Sequence, residues 1–277
     1  MLQQLQQFRA RKSLGQNFLH DENIVRKIIE AIDPQQDDTI VEIGPGFGVL
    51  TGNLLESGCR YVGIEIDQRL ISALREKFSA YQNFELYHAD FCDFDLSNLA
   101  SKPASLRLVG NIPYHITSSI VFKAFEVQHQ LKDMVLMVQK EVGERIAAAS
   151  GNKSYGILSV ISQTYAKANI LFTVSPNVFI PRPDVASAVV YWDFAKKKQP
   201  QPDDPVFFRN FIKRAFNQRR KILRNSLKTF GCPEEFVQTH STVLAKRPEN
   251  MEVEELIRLA NTLRSYLPGK ERENATR

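Results

Sequence analysis

The sequence predicts an α/β fold with a mixed seven-stranded sheet, followed by a small all-helical C-terminal domain. Three observations carry this. Short apolar strands alternate with helical stretches through residues 21–193. The segment KKKQPQPDDP, residues 196–205, has the composition of a linker. Beyond it, apolar residues recur only at helical spacing. The expected division is an α/β domain over 1–195, a linker over 196–205 and a basic helical domain over 206–277.

The first helix is signalled by DENIVRKIIEAI. Asp21 is a capping residue, and Ile24, Val25, Ile28, Ile29 and Ile32 follow at helical spacing. Strands are expected at 39–43 (TIVEI), 61–66 (YVGIEI), 84–88 (FELYH), 106–110 (LRLVG) and 134–139 (MVLMVQ), with two more at 168–174 and 186–193. Near-continuous apolar strands separated by helices imply a parallel sheet covered on both faces. The last two strands, joined by little more than PNVFIPRPD, read as a hairpin, which makes the sheet mixed. In the C-terminal part, Phe208, Phe211, Ile212, Ala215 and Phe216 form one apolar stripe; Val253, Leu256, Ile257, Ala260 and Leu263 form another. The tail PGKERENATR is expected to fray. No internal repeat is present.

Composition narrows the function classes. The 277 residues contain no apolar run of the roughly 18 residues a membrane span needs. The N-terminal MLQQLQQFRARKSLGQNFLHD lacks the apolar core of a signal peptide. A cytoplasmic protein with no membrane association is expected. Cys59, Cys92 and Cys232 are odd in number and form no CxxC pair, and the five histidines show no ligand spacing, so no metal site is expected. No self-association segment stands out, and a monomer is expected. Residues 196–228 hold 11 Lys or Arg against 2 Asp or Glu, whereas the rest of the chain holds 25 against 29. That concentration points to a polyanion partner; the alternative is a solvated helix face.

Candidate ligand residues sit at consecutive strand ends. VEIGPGFGVLT places Gly44, Gly46 and Gly48 after the first strand. A dinucleotide fingerprint would need Gly at position 49, where Val stands, which weakens a pyrophosphate reading. The next strand ends with Glu65 and Asp67, about twenty residues on, where an acidic side chain can accept both ribose hydroxyls. The third ends with Asp90, placed to accept from an adenine amino group. This ordered series describes an adenosine site without phosphates and suits S-adenosylmethionine better than NAD.

The fourth strand end reads Asn111-Ile112-Pro113-Tyr114. An adenine N6 amine is a poor nucleophile because its lone pair is delocalised into the ring. Acceptors for its two protons localise that lone pair. The Asn111 side-chain oxygen is one candidate and the Ile112 carbonyl the other. Pro113 fixes the backbone, and Tyr114 offers a face for stacking. Attack on a sulfonium methyl group needs alignment, desolvation and fixed dipoles rather than a strong base. His115 beside the motif invites a general-base role; the preferred reading is a supporting or surface histidine.

These residues resemble the adenine-N6 methyltransferases, whose fourth-strand motif is (D/N/S)-(I/L/P)-P-(Y/F/W). The resemblance then narrows to the rRNA adenine dimethyltransferase family. KSLGQNFL (12–19) resembles its N-terminal signature, and EIGPGFGVLT, IEID, HADF and NIPYHITSSI match further blocks in order. VFIPRPDVASAVV matches a later block, and FNQRRKILRNSL with KRPENMEVEELIRLANTL matches the helical C-terminal domain. The resemblance covers nearly the whole chain. It implies a Rossmann-like methyltransferase fold that uses S-adenosylmethionine. Cofactor contacts carry over to Asn17, Leu19, Gly44, Glu65, Asp90 and Asn111, with Gly46 in the same glycine turn; Phe179 would be a second aromatic wall for the target base. Within the family the match is closest to the bacterial small-subunit enzymes linked to kasugamycin sensitivity. That implies dimethylation of two adjacent adenosines in the hairpin loop near the 3′ end of 16S rRNA, on the immature 30S subunit. Loop adenines are cheap to splay into a pocket. Arg219, Arg220, Lys221 and Arg224 would bind rRNA phosphates. The rival readings are a 23S rRNA enzyme of the macrolide-resistance type, a non-catalytic assembly factor on the same fold, and NAD-linked chemistry.

Overall fold

The computed structural model describes residues 8–11, 14–100 and 102–267. Lys12 and Ser13 of the N-terminal signature, and the tail expected to fray, lie outside these residues. Among the described residues the first strand is the two-residue β1 (Phe18–Leu19), followed by helix α1 (Glu22–Ile32). Asp21 caps α1: its side chain accepts from the Ile24 N–H at 3.0 Å, satisfying one of the helix's orphan donors. There follow β2 (Thr39–Ile43), α2 (Thr51–Glu56), β3 (Arg60–Glu65), α3 (Gln68–Lys77), β4 (Phe84–His88), β5 (Leu106–Asn111), α4 (Thr117–Glu126), β6 (Leu131–Gln139) and α5 (Lys140–Ala147). Then come α6 (Ile157–Tyr165), β7 (Lys167–Val174), the short β8 (Phe179–Ile180) and β9 (Ser187–Asp193).

Seven strands form one sheet in the order β4-β3-β2-β5-β6-β9-β7. β2 runs parallel to β3 and β5, β4 continues parallel beyond β3, and β6 lies parallel to β5. β9 is antiparallel to β6, so the mixed sheet expected from sequence is the one found. The strand order reverses at β2, because β3 and β4 extend to one side and the chain returns to β5 on the other. The carboxyl ends of β2 and β5 therefore flank a crevice, the usual ligand position in such sheets. Every residue of β2 and the first five of β5 are buried, which is why these strands read as unbroken apolar runs.

β7 and β9 are neighbours, but the segment between them is no tight turn. It carries β8, which pairs antiparallel with β1, placing Phe18 opposite Ile180 and Leu19 opposite Phe179. Strands of two residues carry no readable period, so this small sheet left no trace in the sequence pattern.

At the amino end of β5, Arg107 is buried among carboxylates and carbonyls. Its Nε and Nη2 donate to the Asp133 carboxylate at 2.9 and 2.8 Å, and Nη1 donates to Asp38 Oδ2 at 2.5 Å and to the Asp33 carbonyl at 3.1 Å. Nη2 also donates to the Ile32 carbonyl. One guanidinium thus closes the carboxyl end of α1 and ties β5 to β6.

The chain divides into two compact units, and the division differs from the single boundary expected at 196–205. One comprises residues up to Gly143 together with Ala168–Ala195; the other takes Glu144–Lys167 and the residues from Lys196 onward. The second unit contains α6 and the later helices α7 (Pro205–Asn217), α8 (Leu223–Ser226), α9 (Glu234–Thr239), α10 (Ser241–Leu244) and α11 (Val253–Tyr266). Both expected C-terminal stripes are buried there. Helix α6 packs on α7 and α11 and buries Val160, Ile161 and Tyr165. A helix apolar on most sides needs helix neighbours, which removes 144–167 from the first unit. The expected linker is strapped down rather than free. Gln201 Nε2 donates to the Thr164 carbonyl at 3.0 Å, and Asn261 Nδ2 to the Gln201 carbonyl at 3.0 Å. Among the described residues, no helix is long and apolar enough to cross a membrane.

Candidate active site

A cavity of about 310 Å³, within the usual size range for small-molecule sites, opens at the carboxyl ends of β2 to β5. Its floor is the glycine turn after β2. Gly44 has φ +65°, a conformation L side chains rarely adopt, and a side chain built there would meet no atom within 4 Å. The backbone at Gly44 is thus bare to a ligand. Gly48 serves packing instead: a Cβ there would fall 2.5 Å from the Phe78 ring. Gly46 donates its N–H to Glu65 Oε2 at 3.0 Å.

Glu65, at the end of β3, is only 4% exposed. Its other oxygen accepts from the Asp67 N–H at 2.9 Å, so two backbone donors fix the carboxylate while lone pairs remain for a ligand. Burial nonetheless raises its pKa. Asp90 follows β4 and is exposed; its Oδ1 accepts from the Cys92 N–H at 2.8 Å, which leaves carboxylate lone pairs for a ligand. Ile66, between the two acidic positions of IEID, is 45% exposed and lines the cavity with Phe91, an apolar wall suited to a flat ring. Sequence reasoning passed over Ile66.

It also passed over Glu42, whose one signal was a charge inside the apolar TIVEI. Glu42 lines the cavity at 2% exposure. Its Oε2 accepts from the Thr51 and Tyr61 hydroxyls, both at 2.6 Å. Burial pushes its carboxyl up to about 7, against the pull of those two hydroxyls and with the charge of Glu65 adding to the rise. The native state therefore keeps a proton that the unfolded chain releases near pH 4.5. Stability should fall as pH rises from that value to about 7, then level off, a loss on the order of 3 kcal/mol. Glu65 adds in the same direction. Glu42→Gln, neutral at every pH, is expected to flatten most of this decline in urea unfolding measured between pH 5 and pH 8. An unchanged slope would assign the decline to other groups.

The N-terminal segment forms a second wall. Leu19 is 3% exposed, and Phe18 stands edge-on to Phe47 with centroids 4.9 Å apart. Asn17 contributes its backbone: Asn111 Nδ2 donates to the Asn17 carbonyl at 2.9 Å. With the amide nitrogen so engaged, Asn111 Oδ1 is the acceptor left for a ligand. Ile112 is buried, and Pro113 has φ −61° and ψ 133°, extended backbone that carries the chain away from the strand. Tyr114 lines the cavity, with its hydroxyl 2.7 Å from the fully buried Ser187 Oγ. His115 stands at the rim against Gly15, where a Cβ would fall 2.8 Å from its Nδ1.

Two expected site residues lie elsewhere. Phe179 does not line the cavity. Opposite Leu19 in the small sheet, it is 2% exposed in the core with Val174 and Val189. Arg219, in the second unit, donates to the Lys153 and Tyr155 carbonyls at 2.9 and 3.2 Å and so holds a loop. Arg220, Lys221 and Arg224 are exposed and enter no ion pair among the described residues. Among the described residues, no group of three His, Cys, Asp or Glu side chains is arranged to hold a metal.

Residues 7–265 match the family model described as ribosomal RNA adenine dimethylase. The chain belongs to that family. As a dimethylase it is an S-adenosylmethionine-dependent rRNA adenine methyltransferase. Ribosomal RNA small subunit methyltransferase A of Pseudomonas aeruginosa is 41% identical over 97% of this chain and 99% of its own. The protein of that name from Clostridium acetobutylicum is 37% identical over 92% and 94%. Among solved structures, a dimethyladenosine transferase from Plasmodium falciparum superposes with a TM-score of 0.75 at 26% identity, covering 87% of this chain and 95% of that one. The 23S rRNA methyltransferase ErmE gives 0.66 at 25% identity, covering 90% and 100%. The dimethylase cavity fits its methyl donor on charge. Its acidic side chains are Glu42, Glu65 and Asp90, and no Lys or Arg lines it among the described residues. Such a lining suits a sulfonium and repels a pyrophosphate, which also disposes of the NAD reading.

Proposed function

We propose that this dimethylase transfers two methyl groups to N6 of each of two adjacent adenosines in the hairpin loop near the 3′ end of 16S rRNA. It would act as a cytoplasmic monomer on the immature 30S subunit. The observation that carries the chemistry is the Asn111 amide, whose nitrogen is committed to Asn17 and whose oxygen is left to accept. The small-subunit substrate is supported by relatives of that name matching nearly end to end at 41% identity, well above the 25% of the 23S enzyme.

Asn17, Leu19, Gly44, Gly46, Glu65 and Asp90 would hold the donor, which when bound supplies an electrophilic methyl on a cationic sulfur. Glu65 would accept from the ribose hydroxyls and Asp90 from the adenine amine. At the target base, Asn111 Oδ1 accepts one N6 proton and the Ile112 carbonyl the other, turning the nitrogen lone pair toward the methyl group. Pro113 sets the direction of that carbonyl. The Tyr114 ring, held at its far edge by Ser187, stacks on the base and excludes water. Phe179 acts indirectly, backing Leu19. N6-methyladenine retains one N–H, so the same acceptors can grip it for the second transfer.

Transfer of labelled methyl groups to unmethylated small subunits, followed by nucleoside analysis, tests this. Dimethyladenosine at two neighbouring 16S positions by primer extension is the expected result; modification of 23S rRNA alone rejects it. Arg220, Lys221 and Arg224 would neutralise phosphates. Replacing all three with Ala is expected to lower the slope of log affinity against log salt by about 3, near 1 for each phosphate-binding cation removed. Arg219→Ala should instead lower thermal stability, because its guanidinium is committed to the Lys153 and Tyr155 carbonyls.

A further inference from the structure

We infer that Gln16 is a positioning residue that fixes the Asn17 carbonyl and, through it, the orientation of the Asn111 amide. The inference rests on the proposed role of Asn111. Residues 14–17 lie outside any strand or α-helix, so no ladder sets the Asn17 carbonyl. What sets it lies on either side. Downstream, β1 is held by β8. Upstream, Gln16 uses both ends of its amide: Nε2 donates to Asp67 Oδ2 at 2.9 Å, and Oε1 accepts from the Arg11 N–H at 2.9 Å.

Asp67 is a rigid anchor. It is fully buried and caps α3 through the Arg69 N–H. It also takes the Arg69 guanidinium, Nε at 2.9 Å and Nη2 at 2.5 Å. Its own N–H donates to Glu65, which in turn accepts from Gly46. One hydrogen-bonded chain therefore runs from the glycine turn through Glu65, Asp67 and Gln16 to the residue that holds Asn111. The last link matters because an amide is nearly symmetric in shape and opposite in polarity. If the Asn17 carbonyl drifts, Asn111 can turn its NH₂ to the adenine amine. Donor then faces donor, and the lone pair is no longer localised.

This assigns Gln16 a larger effect on transfer than on donor binding, since without it Glu65 keeps both backbone donors and Leu19 stays paired with Phe179, while Asn17 loses one support. Full-length Gln16→Ala and Gln16→Met would be assayed on unmethylated small subunits beside the wild type. Gln16→Met keeps the side-chain length and removes both hydrogen bonds. Both variants are expected to fall roughly tenfold to a hundredfold in kcat, as for a small misplacement of a reacting group. The ratio of mono- to dimethyladenosine should rise. Affinity for S-adenosylhomocysteine, measured by calorimetry, should stay within about threefold, the split expected when only transition-state interactions are removed. Wild-type kcat and product ratio in either variant overturn the inference. So does a loss confined to S-adenosylhomocysteine affinity, which would make Gln16 a donor-binding residue only. If the wild type itself forms no dimethyladenosine, the functional reading fails instead.

Discussion

Asn111→Ala is expected to lower the rate of methyl transfer by about a hundredfold to a thousandfold, the usual loss when one preorganised polar partner of a transition state is removed. S-adenosylhomocysteine should still bind, because Glu65 and Asp90 are untouched and the Gly44 backbone remains bare. The fold should survive too. Asn111 is the last residue of β5, partly exposed, and the carbonyl it leaves behind at Asn17 lies beside the cavity, where water can replace the amide. Single-turnover transfer to unmethylated subunits is the measurement. The loss should appear in the chemical step, with subunit binding retained. Asn111→Asp is a useful companion. Its carboxylate can accept from the adenine amine, yet it faces the Asn17 carbonyl with no donor, so part of the rate should return without the full geometry. Undiminished transfer by Asn111→Ala would remove that side chain from the reaction.

Arg107→Met is expected to destabilise the protein by about 3–5 kcal/mol, the range for removing one partner of a buried ion pair. The side chains of Arg107, Asp38 and Asp133 are each 5% exposed. Methionine fills much of the volume but leaves Asp133 buried without its cation, Asp38 with the half-exposed Lys132 at 3.0 Å as its one cation, and the Ile32 carbonyl without its side-chain donor, while the Asp33 carbonyl keeps Gln35 Nε2 at 3.1 Å. Urea unfolding near neutral pH should show the loss. Lowering the pH toward the carboxylate range should narrow the gap between variant and wild type, since protonation relieves the stranded charges. Adding Asp133→Asn to Arg107→Met should recover part of the stability for the same reason. A loss below about 1 kcal/mol would show that water enters this end of the sheet freely.

Much of the fold was legible because its central strands are doubly buried. TIVEI and LRLVG read as strands since helices cover both faces of the sheet, and the order Gly44, Glu65, Asp90, Asn111 follows from each strand ending on the same edge. The small sheet joining β1 to β8 was not legible: its pairing depends on a tertiary approach between Leu19 and Phe179 that no local pattern encodes. That approach also explains Phe179, whose ring is turned into the core by its partner rather than toward the cavity. Helix α6 misled for a related reason. Its apolar residues say that it is buried but not against what, and its companions α7 and α11 come some forty to a hundred residues later. Arg219 belonged to a basic run by composition, and only the loop carbonyls it meets separate it from Arg220 and Lys221.

The acidic lining of the cavity bears on turnover. Every transfer strips the donor's sulfur of its positive charge, whereas Glu42, Glu65 and Asp90 stay in place. To the extent that these carboxyls are ionised, they would attract the spent, neutral molecule less than the cationic one. Titrating Glu42 toward its neutral form is expected to shrink that difference, so the ratio of donor to product affinity should fall as pH drops below about 7.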